Sequence, residues 1–177
     1  LNHLSYVALT HEVLPLMEKS ETKKIINVAS QAHRYAHLDR NDLESKKNYR
    51  GFYTYSCTKL MNIMFSYQLA KKLKQRNYNV YCLHPGFVAS KFGQNNQSWF
   101  STIFFLAQKI FAISPQKSAE TILYCVKQTK QKHQTGLYFV KCKPKKSKAC
   151  SYITKDQEAL WDKTMPYLAA HLGPLHW

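Results

Sequence analysis

Glycine is scarce in this chain and never clustered. The five glycines among its 177 residues, Gly51, Gly86, Gly93, Gly136 and Gly173, stand far apart. No segment can therefore form the glycine-rich turn that lets a backbone approach phosphate closely. Acid is scarce too: ten Asp and Glu against 26 Lys and Arg leave a formal net charge of +16, which invites a nucleic-acid or anionic-membrane reading. Part of that charge sits on Lys141, Lys143, Lys145, Lys146 and Lys148. Pro144 interrupts the run, and no arginine fork, zinc-finger or RNA-binding signature accompanies it. It reads as a solvated lysine loop, and no nucleic-acid partner is expected. The five cysteines are odd in number and widely spaced, without a Cys-x-x-Cys pair or a neighbouring His cluster, so no metal site is expected. They imply free thiols, a reducing compartment and a cytoplasmic protein, in which the Asn96-Gln97-Ser98 sequon goes unused. No apolar run reaches the ~18 to 20 residues that cross a bilayer. The chain opens on Leu1 inside a helical pattern with no Met or signal sequence. It reads as part of a longer protein whose membrane association, if any, lies in a segment further upstream.

What is present suffices for one packed core: 45% hydrophobic residues with 9 Phe, 12 Tyr and 3 Trp, read as a single partial domain over 1–177. Apolar residues at Leu4, Val7, Ala8, Val13, Leu14 and Met17 predict a helix over 1–19 with Pro15 as an irregularity. Lys24 to Ser30 is a short, nearly continuous β-branched stretch, the pattern of a parallel strand covered on both faces. The polar segment that follows reads as loop as far as Gly51. Phe52 to Lys74 carries a broad apolar face with lysines at its C-terminal end, where the helix dipole favours them. Val80 to Leu83 predicts a second strand stopped by Pro85-Gly86, and Gly136 to Val140 a third. Ser114-Pro115 supplies an N-cap and first helical position, and Thr154-x-x-Gln157 reads as a capping box ahead of a last helix. This order predicts an α/β fold: a partial doubly wound, Rossmann-like parallel sheet of about three strands with flanking helices.

Two Tyr-x-x-x-Lys pairs occur, Tyr55…Lys59 and Tyr67…Lys71, but only the first opens the helix between the first two strands. Residues four apart share a helix face, so Tyr55 and Lys59 can converge on one small molecule. A phenol is a poor acid or base near neutral pH unless a cation stabilises its anion, and Lys59 supplies one. Ser30 leaves the C-terminal end of a strand, where open α/β sheets place their ligands. Taken singly, these are a half-buried tyrosine, a surface lysine and a turn serine.

In combination they resemble a known family. Asn2-His3-Leu4, Val28-Ala29-Ser30, Tyr55-x-x-x-Lys59-Leu60-x-Asn62 and His84-Pro85-Gly86-Phe87-Val88-x-Ser90 occur in the order they take in short-chain dehydrogenase/reductases. The pattern looks most like the retinol-dehydrogenase-like branch. The 25-residue separation of Ser30 and Tyr55 suits that branch. So do Ser114-Pro115…Ala119-Glu120-Thr121, Gly136-Leu137-Tyr138-Phe139 and Ala159-Leu160-Trp161.

The resemblance implies that Tyr55 exchanges a proton with the substrate oxygen and Ser30 orients that oxygen. Lys59 would lower the tyrosine pKa and bind the nicotinamide ribose, and Asn2 would hold a water of the proton relay. Pro85, Gly86, Val88 and Ser90 would cradle the nicotinamide of NAD or NADP, Ser90 standing where threonine is usual. Ser5 replaces a common glycine and Thr58 a common serine. The serious departure is the missing glycine-rich turn, so this chain is expected to match a C-terminal half that is inactive alone, with an open sheet edge at the first strand. The apolar segment from Trp99 to Ile113 suggests a small lipophilic substrate such as a retinoid, steroid or aldehyde, with core packing or contact with a membrane surface explaining it equally well. Helices 1–19 and 52–74 resemble those that pair subunits, implying a homodimer. The rival readings are an inactive remnant and a basic, non-catalytic binding module.

Overall fold

Strand β1 (Lys24–Val28) and strand β2 (Asn79–His84) form where the β-branched and aromatic runs predict them. They pair in parallel from Lys24↔Asn79 to Val28↔Leu83. The computed structural model describes residues 1–86, 113–127, 134–175 and 177. Val88, Ser90 and the apolar segment from Trp99 to Phe111 lie outside the described residues. Strand β3 (Leu137–Val140) pairs in parallel with β2, and a two-residue strand β4 (Lys143–Pro144) returns antiparallel along it. The sheet order is β1-β2-β3-β4, one short strand more than the sequence predicts. The turn between β3 and β4 is Lys141-Cys142, both with positive φ (50° and 58°). That is a hairpin geometry normally signalled by Asn-Gly, so the lysine run hides it.

Two layers of helix cover the sheet because its side chains alternate between faces. On one face Ile25, Ala29, Val80, Cys82 and Tyr138 meet helices α1 (Leu4–Met17) and α2 (Gly51–Lys72) through Val7, Leu14, Ile63, Tyr67 and Leu69. On the other, Ile26, Val28, Tyr81, Leu83, Leu137 and Phe139 pack on Ile122 and Cys125 of helix α3 (Pro115–Lys127). The last helix, α4 (Thr154–Leu172), lays Leu160, Trp161 and Leu168 against α2 and α1. Trp161 stacks on Phe65 with ring centroids 5.9 Å apart. Central strand β2 is buried from Val80 to Leu83, and β1 stands at the edge of the sheet.

One local expectation holds and two change. Ser114 caps α3 as predicted, its Oγ accepting from Lys117 N at 3.2 Å, with Pro115 first in the helix. Thr154 does not cap α4. Ile153 occupies that position, and the Gln157 side chain instead donates to Ser151 O at 2.7 Å and accepts from Lys71. The segment after β1 is not plain loop, because Gln31–Tyr35 forms a 3-10 turn.

Candidate functional site

The chemistry-bearing residues gather at the C-terminal ends of β1 and β2, around the first turns of α2. Ser30 lies two residues past β1 in extended conformation (φ −150°, ψ 155°). Its side chain accepts from Ala32 N at 3.2 Å and lies near enough to the Tyr55 phenol to influence its ionisation. Burial pushes the Tyr55 phenol above its ordinary value, and the Ser30 side chain opposes that rise.

Lys59, one turn further along α2, donates from Nζ to Val28 O at 3.3 Å. Its ammonium lies 5.6 Å from the Tyr55 ring centroid and 5.5 Å from that of Tyr6, within cation-π reach of both faces. Burial lowers its pKa. The Tyr6 hydroxyl donates to the same Val28 carbonyl at 3.1 Å. Asn2 lies two residues before α1, next to its N-cap His3. Its side chain reaches Thr58 Oγ1 at 3.5 Å, and its carbonyl accepts from Asn62 Nδ2 at 3.2 Å. Asn2, Ser30, Tyr55 and Lys59 are therefore brought together, Asn2 through Thr58.

Pro85 and Gly86 follow β2 directly. Gly86 has φ of 98°, and a Cβ there would run into the Ile113 side chain, so its own backbone and packing demand glycine. A cleft of about 790 Å³ opens beside Asn2 and Tyr55 between the loop at 40–49 and the helices α1, α2 and α4. Leu4, Leu43, Tyr49, Met61, Leu160 and Tyr167 line part of it.

The second Tyr-x-x-x-Lys pair has a different task. Tyr67 is 5% exposed, bonded to Ser147 Oγ at 2.7 Å and to the Tyr152 hydroxyl at 3.2 Å. Burial pushes its pKa well up. It anchors the segment after β4 to α2.

Sequence reasoning gave no role to Tyr6, His33 or His84, although His84 opens the Pro85-Gly86 motif. Tyr6 stands one helical turn after Asn2, and the histidines stand three residues after Ser30 and just before Pro85-Gly86. Proximity to those motifs was the available signal.

A family model described as short chain dehydrogenase matches residues 1–100. The chain belongs to that family. It is similar to human retinol dehydrogenase 14, with 30% identity over 164 residues that cover 92% of this chain and 49% of the relative. Mouse retinol dehydrogenase 11 is 32% identical over 144 residues, 80% of this chain and 44% of the relative. The Drosophila melanogaster WW domain-containing oxidoreductase is 30% identical over 167 residues, 91% of this chain and 40% of the relative. The chain spans about half the length of these relatives. Among solved structures, an uncharacterised protein from Mycobacterium paratuberculosis superimposes with a TM-score of 0.68 at 21% identity, covering 98% of this chain and 59% of that one. That likeness bears out the α/β fold.

The short-chain dehydrogenases are oxidoreductases that use NAD or NADP. The residues here fit that cofactor at one end only. A half-buried cation, a phenol and a serine hydroxyl meet at the strand ends, where open α/β sheets place their ligands, whereas no glycine cluster exists for a pyrophosphate. Among the described residues, no group of three His, Cys, Asp or Glu could hold a metal ion, and no helix is long and apolar enough to cross a membrane.

Proposed function

We propose that this chain is the half of a nicotinamide-dependent short-chain dehydrogenase that carries the proton-transfer residues, working on a lipophilic alcohol/carbonyl pair. The observation that carries this reading is the Lys59 ammonium over the Tyr55 ring, 5.6 Å from its centroid, with the Ser30 side chain near enough to the phenol to oppose the rise of its pKa. A phenol raised by burial remains protonated at pH 7 and can give its proton to a carbonyl oxygen held by Ser30. In the reverse direction the phenolate that must form would be stabilised by Lys59. Asn2, joined to α2 through Thr58, would hold a water of the relay. Lys59, Tyr55, Pro85 and Gly86 would hold the nicotinamide end of the cofactor, together with Val88 and Ser90. When bound, the nicotinamide supplies or takes up the hydride.

The lipophilic class is supported by the relatives named for retinol and by the part-apolar cleft beside Tyr55. The pyrophosphate end calls for a glycine-rich turn from outside these 177 residues. The test joins this chain to an upstream family half bearing that turn and follows NADH or NADPH oxidation with retinaldehyde, a steroid ketone and a fatty aldehyde. Tyr55→Phe abolishes turnover and Tyr67→Phe retains it in the fraction that folds. Equal activity of the two variants would reject the assignment.

A further inference from the structure

The peptide unit that follows Ser30 has both of its polar atoms held by imidazoles. Its carbonyl oxygen, on Ser30, accepts from His33 Nδ1 at 2.7 Å. Its N–H, on Gln31, donates to His84 Nδ1 at 3.2 Å. A carbonyl only accepts and an amide N–H only donates, so the proton positions follow. His33 carries its proton on Nδ1, and neutral His84 carries its proton on Nε2. The second nitrogen of His33 accepts Lys148 N–H at 3.2 Å, so its one donor and one acceptor are both used. His33 is fully buried and meets Tyr138 edge-on, with ring centroids 5.2 Å apart.

This clamp begins where the sheet stops. The last backbone bond joining the two strand ends is Ala29 N to Leu83 O at 2.8 Å, and at the next peptide the His84 side chain takes over from the backbone. Turning Ser30 ψ or Gln31 φ would break one or both imidazole bonds. With that peptide fixed and Ser30 Oγ accepting from Ala32 N, the hydroxyl is held toward Tyr55.

We propose that His33 and His84 are positioning residues, a two-imidazole clamp that presents the Ser30 hydroxyl to the Tyr55 phenol. The proposal rests on the reading of Ser30 and Tyr55 given above. Burial lowers the pKa of both imidazoles, His84 to about 4. Repulsion from His33 adds to this at His84; at His33 the Ser30 carbonyl bond opposes the fall and the Arg34 and Lys148 cations add to it. Both rings are thus neutral at pH 7, as the clamp requires, because a second ring N–H would point at an amide N–H.

The experiment uses the 177-residue chain labelled with ¹⁵N-histidine and, separately, with 3-fluorotyrosine. Long-range ¹H–¹⁵N spectra at pH 7.5 should give His33 as the Nδ1–H tautomer and His84 as the Nε2–H tautomer. The opposite tautomer at either ring would overturn the clamp without any variant having to fold. The ¹⁹F signal assigned by Tyr55→Phe should titrate at higher pH in His84→Leu, where the hold on Ser30 is loosened. It should return in His84→Asn, which keeps an acceptor oxygen. An unmoved midpoint in His84→Leu overturns the proposal. In the joined enzyme His84→Leu lowers kcat with KM unchanged, and His84→Asn restores it. Tautomers and fluorine shifts as expected, with no turnover in the unsubstituted enzyme, would reject the catalytic reading and leave the clamp standing.

Discussion

Acid should loosen the Asn2 end of the site, and His3 is the reason. Its ring is 7% exposed and spans two helices: Nδ1 lies 3.2 Å from Asn62 Oδ1 on α2, and Nε2 lies 3.3 Å from Thr164 Oγ1 on α4. Burial lowers its pKa from 6.5 to about 4, against the raising effect of the Asn62 bond. Between these two values the folded chain binds fewer protons than the unfolded chain, so stability rises with pH across that window. The contribution is complete above pH 6.5, falls as the medium is acidified and levels off below about pH 4. At about 1.4 kcal/mol per pH unit the whole gap is worth about 3 kcal/mol, of which about 2 kcal/mol is lost by pH 5.

Urea unfolding followed by tryptophan fluorescence at pH 7.5 and pH 5, for the wild type and His3→Gln, isolates this share. Other buried histidines titrate in both proteins and cancel in the comparison. The wild type should lose about 2 kcal/mol more than the variant between the two pH values. Parallel losses would refute a buried neutral His3.

Other perturbations sort the structural residues from the chemical ones. Tyr67→Phe leaves Ser147 and Tyr152 without a partner on α2 and should cost about 1 to 3 kcal/mol in urea unfolding, whereas Tyr55→Phe, half-buried near the start of α2, should cost less. Ile63→Ala empties a fully buried site beneath Ala29, Cys82 and Tyr138, and its cost should be about 2 to 5 kcal/mol by the same measurement. Gly86→Ala meets both a positive φ and the Ile113 side chain, and should lower the melting temperature while a serine substitution at exposed Gly51 is tolerated far better. In native thiol titration Cys142 and Cys150, both partly exposed, should react quickly. Buried Cys57, Cys82 and Cys125 should wait for unfolding, Cys82 and Cys125 being pushed up to about 12 and about 11 by burial.

Strands β1 and β2 are legible in the sequence because unbroken apolar runs between polar segments have few alternatives, and Ser30, Pro85 and Gly86 mark where those runs end. Tyr55 and Lys59 are legible because helix geometry converts a spacing of four into a shared face. The 3-10 turn after Ser30 is not legible. It is fixed by contacts from far along the chain: His33 to Lys148, Arg34 to Lys146 O at 2.9 Å, and Lys148 to Ala36 O. The hairpin at Lys141-Cys142 lacks the residues that normally announce its geometry, so a lysine-rich stretch conceals a fourth strand. Thr154 and Gln157 have the spacing of a capping box, yet Gln157 is drawn away by Ser151 and Lys71, partners that a local pattern cannot register.

His3 joins residues 161 positions apart when it meets Thr164. During synthesis Ser30, Tyr55 and Lys59 can therefore come together while the last helix is still inside the ribosome. Asn2 reaches its final setting only after α4 has emerged and closed on His3. A chaperone or protease meeting the nascent chain before that moment would find Tyr55 and Lys59 already assembled beside Ser30 and the N-terminal end of α1 not yet closed by α4.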